Sequence, residues 1–431
     1  MKNKCQVIVV GGGPAGICAA ITIAKAGKEV ILIERGAFCG SKNVFGGAIY
    51  TRPTKEIFPD FEQTAPLERK ITTHNYLIRS EGQELSLAYF NQEENNAYTV
   101  IRGKFDRWMQ EEAQKAGVVV VTETLVNDLI VENKKIVGVK TELEDYFCDV
   151  VILADGVNSI LAKKAGLRND INPEDVALSV KEVIKLDEET INQRFNLKDS
   201  EGCSYEILGE PMSNIFGMGF LYTNKNSISI GVGISLKDLA RFELRPYDVL
   251  EKMKEHPKFK NLLSGGELLE YSAHLIPEGG YHKIPKLFTD GALVVGDAAM
   301  LVNSVHFEGT NLAMISGKLA GETVLNAIEK NDFSAKALSN YKKKLEKSFI
   351  IKDLKAYKDV IKNVEKRQDS FLGYFPKKIV EFFNLFTNVD SVPKRGKYRK
   401  YIKSFFTERS ICELFKDGVA MIKAVWGVII G

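Results

Sequence analysis

The spacing Gly11-x-Gly13-x-x-Gly16 constrains this chain more than any other feature, because of what flanks it. Residues 6–10, apolar and β-branched after Gln6, read as a buried parallel strand. Residues 15–26, rich in Ala and Ile, read as a helix that Gly27 stops. A second strand, residues 29–33, ends in Glu34. This order of strand, glycine turn and helix start puts free N–H groups and the positive end of a helix dipole around a diphosphate. Gly11 permits the tight turn, Gly13 lets a ligand approach the backbone, and Gly16 lets the helix lie on the strand. Pro14 and Ala15 open the helix. Glu34 falls at the interval of about 20 residues where an acid is expected to hold a ribose hydroxyl, with Arg35 beside it as a further contact.

NAD would satisfy this unit as well as any other dinucleotide, and two later clusters decide. The apolar run 150–153 ends in Ala154-Asp155-Gly156, and the run 292–295 ends in Gly296-Asp297-Ala298-Ala299. Taken singly, Asp-Gly and Gly-Asp more often mark turns. Taken together with the first cluster, they predict three strand ends around one FAD, and so redox chemistry. The fold class expected is α/β (α+β overall), a three-layer ββα doubly wound FAD-binding domain of the glutathione-reductase/hydroxylase type, with a mixed-sheet substrate domain and a helical C-terminal region. The expected divisions are 1–170 (with residues 40–96 partly inserted from the second domain), 171–284 as the substrate domain, 285–330 returning to the FAD domain, and 331–431 as the helical region.

Further contacts are expected between these clusters. The small, Gly-rich stretch 38–49 suits the face of a flat ring. Arg102, ahead of a helix over 104–116, either meets the diphosphate or ring edge or is a surface arginine. A meander is expected over 118–122, 125–132, 136–140 and 147–153, with backbone near Val126 offered to adenine. Gly309-Thr310-Asn311 opens a helix over 312–328 whose N–H groups would meet the flavin pyrimidine, where charge develops on reduction. His306 has a reference pKa near neutrality and is the candidate proton carrier, although a structural histidine is the commoner case.

Composition narrows the partners. The net charge of +3 is too small to point to nucleic acid. The six cysteines are scattered without a C-x-x-C pair, which argues against a metal or iron–sulfur site and fits a reducing compartment. The first strand begins almost at once, leaving no room for a signal peptide, so a cytoplasmic protein is expected. No apolar run reaches the roughly 18 residues of a membrane span. Near the end, Lys394, Arg395, Lys397, Arg399, Lys400 and Lys403 interleave with Tyr398 and Tyr401. There follows an amphipathic stretch with Ile411, Leu414, Phe415, Val419, Ile422, Val425, Trp426 and Ile429 on one face and Glu413, Lys416, Asp417 and Lys423 on the other. This pairing suits an anionic membrane surface or a partner; the alternative is a helix docked on the core by its apolar face.

The stretch His274-Leu275-Ile276-Pro277-Glu278-Gly279-Gly280, continued by Ile284-Pro285-Lys286-Leu287 and by Gly296-Asp297 through His306-Phe307-Glu308-Gly309-Thr310-Asn311, resembles the electron-transfer-flavoprotein:quinone oxidoreductase family, in its short bacterial FixC-type branch. The resemblance implies FAD, electrons taken from an electron-transfer flavoprotein of alpha and beta subunits, and reduction of a membrane quinone. It implies quinone contacts at Gly217 and Met218, where Met218 replaces the family's second glycine, and at Gly309. The four-cysteine domain of longer relatives is missing, so the resemblance implies a separate small ferredoxin-like subunit. It further implies an NADH-oxidising, electron-bifurcating complex at the inner face of the cell membrane. Other readings share the three clusters: a geranylgeranyl-reductase-like enzyme acting on isoprenoid alkenes, an aromatic hydroxylase (disfavoured because 301–310 lacks proline), and a scaffold whose FAD only bridges partners.

Overall fold

The computed structural model describes residues 4–41, 47–92 and 96–429, with side chains as far as Gly427. Two sheets organise these residues. The first runs in the order Phe288–Thr289, Ala292–Val294, Asp145–Leu153, Lys4–Val10, Val30–Ile33, Val119–Val121, with Val126–Glu132 and Lys135–Thr141 forming a hairpin extension off Asp145–Leu153. The predicted α/β class is the observed one. The expected meander is shorter than foreseen: residues 119–121 leave it to pair in parallel with Ile31–Ile33 at the sheet edge. Three consecutive valines suit an edge reached by a helical crossover, and sequence alternation alone does not separate that from a hairpin strand.

The register of the central strands decides where the site can be. Val10 stands beside Leu153, and Leu153 beside Val294, all in parallel. Three apolar strands distant in sequence therefore stop at one level, and the residues after each emerge on the same sheet edge. Ligands collect at such carboxyl ends. Behind the sheet, the helices Pro14–Lys25 and Thr310–Lys330 cross closely. A Cβ on Gly317 would fall 2.0 Å from the Ala15 carbonyl oxygen, so only glycine permits this approach.

The second sheet has nine strands, ordered Glu267–Pro277, Val176–Lys185, Ser227–Ser235, Gly217–Thr223, Glu201–Gly209, Leu67–Ser80, Ala97–Val100, Ala48–Tyr50, with Gln83–Phe90 hydrogen-bonded to Leu67–Ser80. One of its faces packs on Val249, Leu250, Met253 and Phe259 in a separate apolar core. Its other face looks toward the three strand ends.

The last hundred residues are helical. The basic stretch lies on the helix Lys394–Glu408. Lys394 Nζ donates to the Leu385 carbonyl at 2.6 Å, capping the helix Phe375–Thr387, while Arg395, Arg399, Lys400 and Lys403 stay exposed. The final helix, Ile411–Ile429, does not dock by its apolar face. Asp417 is fully buried, accepting from Arg367 Nε at 2.6 Å and Arg409 Nη1 at 2.9 Å, and Glu413 also pairs with Arg367. Ion pairing holds the acidic side against the body, so the apolar side faces out, with Phe415 72% and Trp426 61% exposed; the Ile429 side chain lies outside the described residues. No helix among the described residues is long and apolar enough to cross a membrane.

Removing one member of a buried ion pair strands its partners at a cost on the order of 3 kcal/mol. Asp417→Ala is therefore expected to free the final helix: trypsin should cut at Lys416 and Lys423 much faster than in the parent chain, with flavin content unchanged. Equal cleavage rates would show that the ion cluster does not anchor the helix.

Candidate functional site

A cavity of about 1080 Å³ lies between the two sheets. Gly11, Gly13, Pro14, Ala15, Glu34 and Arg35 line it from the first βαβ unit. Val126, Ala154, Asp155, Gly156, Asp297, Gly309, Thr310 and Asn311 line it from the later strand ends and helix start. Gly16 and Gly296 stand behind the wall instead. A Cβ on Gly16 would meet the Gly11 carbonyl oxygen at 2.0 Å, and Gly296, at φ +60°, would press on Ala15. They set the backbone and do not face the space. The loop expected against a flat ring contributes Gly40, Gly47 and Ala48 to the lining, while Lys42 to Gly46 lie outside the described residues.

The three glycines of the fingerprint separate by what surrounds them. Gly11 has φ +104°, and its Cβ would strike the Ala154 carbonyl oxygen at 2.2 Å. Gly13 has ordinary extended backbone and nothing within 4 Å of where a Cβ would be. The protein needs the first and third glycines; the second leaves room for something that the chain itself does not supply. No side chain caps the helix that follows, and its first residues, Pro14 and Ala15, line the cavity, so the first turn is left for a ligand to satisfy.

The acids fit the same visitor. Glu34 accepts from Gly12 N at 2.8 Å and from Gly36 N at 2.7 Å, which fixes the carboxylate at the wall. Asp155 Oδ2 accepts from Leu161 N at 2.9 Å, whereas its buried Oδ1 has no partner among the described residues. Burial raises the Asp155 pKa and pushes Asp297 up to about 6, with Arg102 opposing the rise at Asp297. Both carboxyl groups are relieved by hydroxyl donors, which ribose and ribitol provide. The residues thus fit FAD on grounds internal to the structure.

Arg102 is buried, which removes the surface alternative. Its Nε and Nη2 clamp Asp106 at 2.8 and 2.9 Å, and its Nη1 donates to Thr310 Oγ1 at 3.2 Å. Asn311 spends its side chain on the fold, accepting from Tyr50 N at 3.0 Å and donating to Thr54 Oγ1 at 2.9 Å. His306 lies at the rim, exposed, with Nε2 3.1 Å from the Tyr357 hydroxyl. Gly217 and Met218 reach the cavity from the second sheet.

Several lining groups escaped the sequence reading. His74, Ser204 and Glu206 face the cavity from two neighbouring strands, and His274 and Glu278 from the far edge. Burial, with Arg102 and Arg35 nearby, lowers the His274 pKa. Burial also raises Glu278 and Glu308 to about 7. Val360, Ile361 and Val364, from the helical region, close one end of the cavity with apolar surface. The sequence reading expected helix here, within 331–431, but did not single these residues out. Among the described residues no cluster of His, Cys, Asp and Glu could hold a metal ion.

Comparison with known proteins agrees with this geometry. Residues 6–176 match the family described as FAD dependent oxidoreductase, residues 176–276 that described as "ETF-QO, ubiquinone-binding", and residues 363–426 the "ETF-QO/FixC family C-terminal domain". Protein FixC of Bradyrhizobium diazoefficiens is 42% identical over 432 residues, covering 98% of this chain and 99% of that protein. The probable electron transfer flavoprotein-quinone oxidoreductase YdiS of Escherichia coli is 37% identical over 423 residues, covering 97% and 98%. Among solved structures, a geranylgeranyl bacteriochlorophyll reductase-like protein of Thermoplasma acidophilum superposes with a TM-score of 0.71 at 24% identity, over 86% of this chain and 91% of that one. The flavin-dependent brominase Bmp2 gives 0.64 at 17%, over 94% and 100%. At such identities these two share the fold and not necessarily the reaction. Fold and site together define a FAD-dependent oxidoreductase. Within that class, the chain belongs to the electron-transfer-flavoprotein:quinone oxidoreductase/FixC family.

Gly13→Ala offers a sharp test of the cradle. The added methyl meets no protein atom, so stability should change by no more than about 0.5 kcal/mol, while FAD affinity should fall at least about tenfold because the methyl stands where the diphosphate must approach. Flavin fluorescence titration of the apoprotein reads the second quantity and urea unfolding the first. Unchanged affinity would remove Gly13 from the cofactor site. Asp155→Ala should likewise weaken FAD by about 10- to 100-fold, the worth of one hydrogen bond to a charged group; an unaltered titration would contradict the role given to Oδ1.

Proposed function

We propose that this chain takes electrons from an electron-transfer flavoprotein and reduces a quinone at the surface of a membrane. FAD, when bound, supplies the redox chemistry, accepting electrons one at a time and delivering a pair. What the chain contributes is binding, placement and exclusion of water. Gly11, Gly13, Pro14 and Ala15 would seat the diphosphate; Glu34 and Arg35 the adenosine side, with Val126 at the adenine; Ala154, Asp155, Gly156 and Asp297 the ribitol side; Arg102, Gly309, Thr310 and the backbone of Asn311 the ring.

The observation that carries the proposal is the continuity of the cavity. The three strand ends, Gly217 and Met218 of the second sheet, and Val360, Ile361 and Val364 of the helical region all line this one cavity. The helix holding those three residues, Val360–Glu365, lies against the final helix; Gly427 packs on Val360. Beyond it the exposed apolar row of Phe415, Ile422, Val425 and Trp426 begins. A molecule with a polar head and a long apolar tail fits this path: head at Gly217, Met218 and Gly309, tail between the C-terminal helices, end in lipid. The exposed cations Arg395, Arg399, Lys400 and Lys403 would meet anionic headgroups. Two flavoprotein subunits, alpha and beta, and a small ferredoxin-like subunit complete the assembly proposed, an NADH-oxidising complex that splits electron pairs at the inner face of the membrane.

With the FAD-loaded chain photoreduced under anaerobic conditions, a soluble benzoquinone should reoxidise it rapidly, whereas an isoprenoid alkene, or oxygen with a phenol, should not yield reduced or hydroxylated product. Turnover of the alkene and not the quinone would replace this reading with the reductase one. Replacing Phe415 and Trp426 by Glu should abolish sedimentation with anionic vesicles and leave soluble-quinone reduction intact; full sedimentation of that variant would exclude the final helix as the lipid contact.

A further inference from the structure

A quinone that gains two electrons must also gain two protons, and the described wall of the cavity holds a chain of groups built to move them. We propose that Glu206 is the catalytic acid of the reaction, protonating the quinone from its Oε2, and that Ser204 and His74 reload it from solvent. This rests on the reading of quinone reduction given above.

The geometry comes from strand register. Ser204 and Glu206 alternate on the strand Glu201–Gly209 and so project to the same side. His74 and Tyr76 stand directly across from them on Leu67–Ser80, and Tyr222 and Phe220 on Gly217–Thr223. All six line the cavity. The Ser204 Oγ, itself buried, lies 3.0 Å from His74 Nδ1 and 3.2 Å from Glu206 Oε1. One hydroxyl thus joins an imidazole to a carboxyl group. The other carboxyl oxygen, Glu206 Oε2, is buried and has no partner among the described residues. That end of the relay is the one left to meet a substrate. Phe220, opposite Glu206, is two residues from Met218, about 7 Å along an extended strand, so the acid and the proposed quinone head share one patch of wall.

The surroundings suit an acid that must carry a proton near neutral pH. Tyr50, Tyr76 and Tyr222 face Glu206, and each of their hydroxyls has its pKa raised by burial and, in part, by this carboxylate. Glu308 is felt from the Tyr50 side and Arg102 from the Tyr222 side. No lysine or arginine among the described residues pairs with Glu206, and burial pushes its pKa up to about 7, against the pull of the Ser204 hydrogen bond. A carboxyl group whose pKa burial raises toward neutrality suits general acid catalysis, which is most effective when the acid's pKa lies near the operating pH.

In each passage the Glu206 Oε2–H bond breaks and an O–H bond forms on the quinone oxygen, while the electrons come from the reduced cofactor. The carboxylate left behind takes the Ser204 hydroxyl proton at Oε1, that hydroxyl takes one from His74 Nδ1–H, and half-buried His74 takes up a proton from water at Nε2 as it gives this one away. A half-turn of the Glu206 carboxyl group about its Cγ–Cδ bond then brings the new O–H to the substrate side, and exchange with water returns the His74 proton to Nδ1. Two passages per quinone complete the quinol. By comparison, His306 is exposed and hydrogen-bonded to Tyr357 at the rim, and no relay among the described residues connects it to the second sheet.

The test uses the full FAD-loaded chain, reduced and then mixed anaerobically with either a soluble benzoquinone, which needs protons, or ferricyanide, which needs none. Glu206→Gln should slow reoxidation by benzoquinone about 100-fold, within the range general acids contribute, and leave the ferricyanide rate and flavin content unchanged. His74→Ala should slow only the benzoquinone rate, with recovery on adding imidazole. Independently of turnover, the infrared difference spectrum of oxidised wild type minus Glu206→Gln should contain a protonated-carboxyl component that titrates near pH 7, over and above those of Glu278 and Glu308, which both proteins share. A wild-type chain that benzoquinone fails to reoxidise sinks the quinone reading itself. A wild type that works, with Glu206→Gln equally fast, sinks the relay alone. Loss of both rates together, or of the flavin, makes Glu206 a structural residue and also overturns the assignment.

Discussion

The alignment of three parallel strands carries the rest of this structure. Because Val10, Leu153 and Val294 stop at one level, one dinucleotide can touch chain segments that are more than a hundred residues apart. The alignment depends on close packing behind it. Gly16 lets the first helix approach the Gly11 carbonyl, and Gly317 lets the long helix approach Ala15. A side chain at either point would push a helix outward and move its N-terminus relative to the strand ends. Overpacking of this kind commonly costs about 1–3 kcal/mol, and here the displaced elements are the ones that hold the cofactor.

The second sheet supplies a different kind of wall. The first edge presents backbone N–H groups and acids whose free oxygens await hydroxyl donors. Opposite it stand aromatic rings, such as Phe220 stacked on Tyr222 at 5.2 Å, and a few polar side chains held by strand register. Rings shape an apolar slot, while His74, Ser204 and Glu206 give one place in it the means to exchange protons. An apolar cavity that leaves a carboxyl oxygen unpartnered is costly in stability, which is the cost expected at sites kept for chemistry. The C-terminal helices extend this slot outward, and the ion cluster at Asp417 decides that the final helix shows its apolar side to the surroundings.

Much of the cofactor side was legible in the sequence because each part is local. A strand, its following turn and a helix start lie within about fifteen residues, and glycines at that spacing suit little besides a tight turn under a bound phosphate. Of the wall opposite, only Gly217 and Met218 were named from the sequence, and by resemblance rather than by local pattern. His74 and Ser204 are 130 residues apart, and each sits in a strand of ordinary alternation; only the parallel pairing of Leu67–Ser80 with Glu201–Gly209 brings them together. Arg102 could not be placed from its neighbours, since its burial depends on Asp106 and Thr310. The final helix was read correctly as amphipathic, yet periodicity does not say which side docks. That was settled by Arg367 and Arg409, whose pull on Asp417 outweighs the tendency of the apolar side to be buried.

Hydrogen exchange of the apoprotein, measured with and without added FAD, tests the central claim most directly. If the three strand ends converge on one cofactor, the amides of residues 12–17, 155–158 and 297–299 become protected together, at one FAD concentration. Protection confined to the first segment, with the other two exchanging as before, would contradict the account.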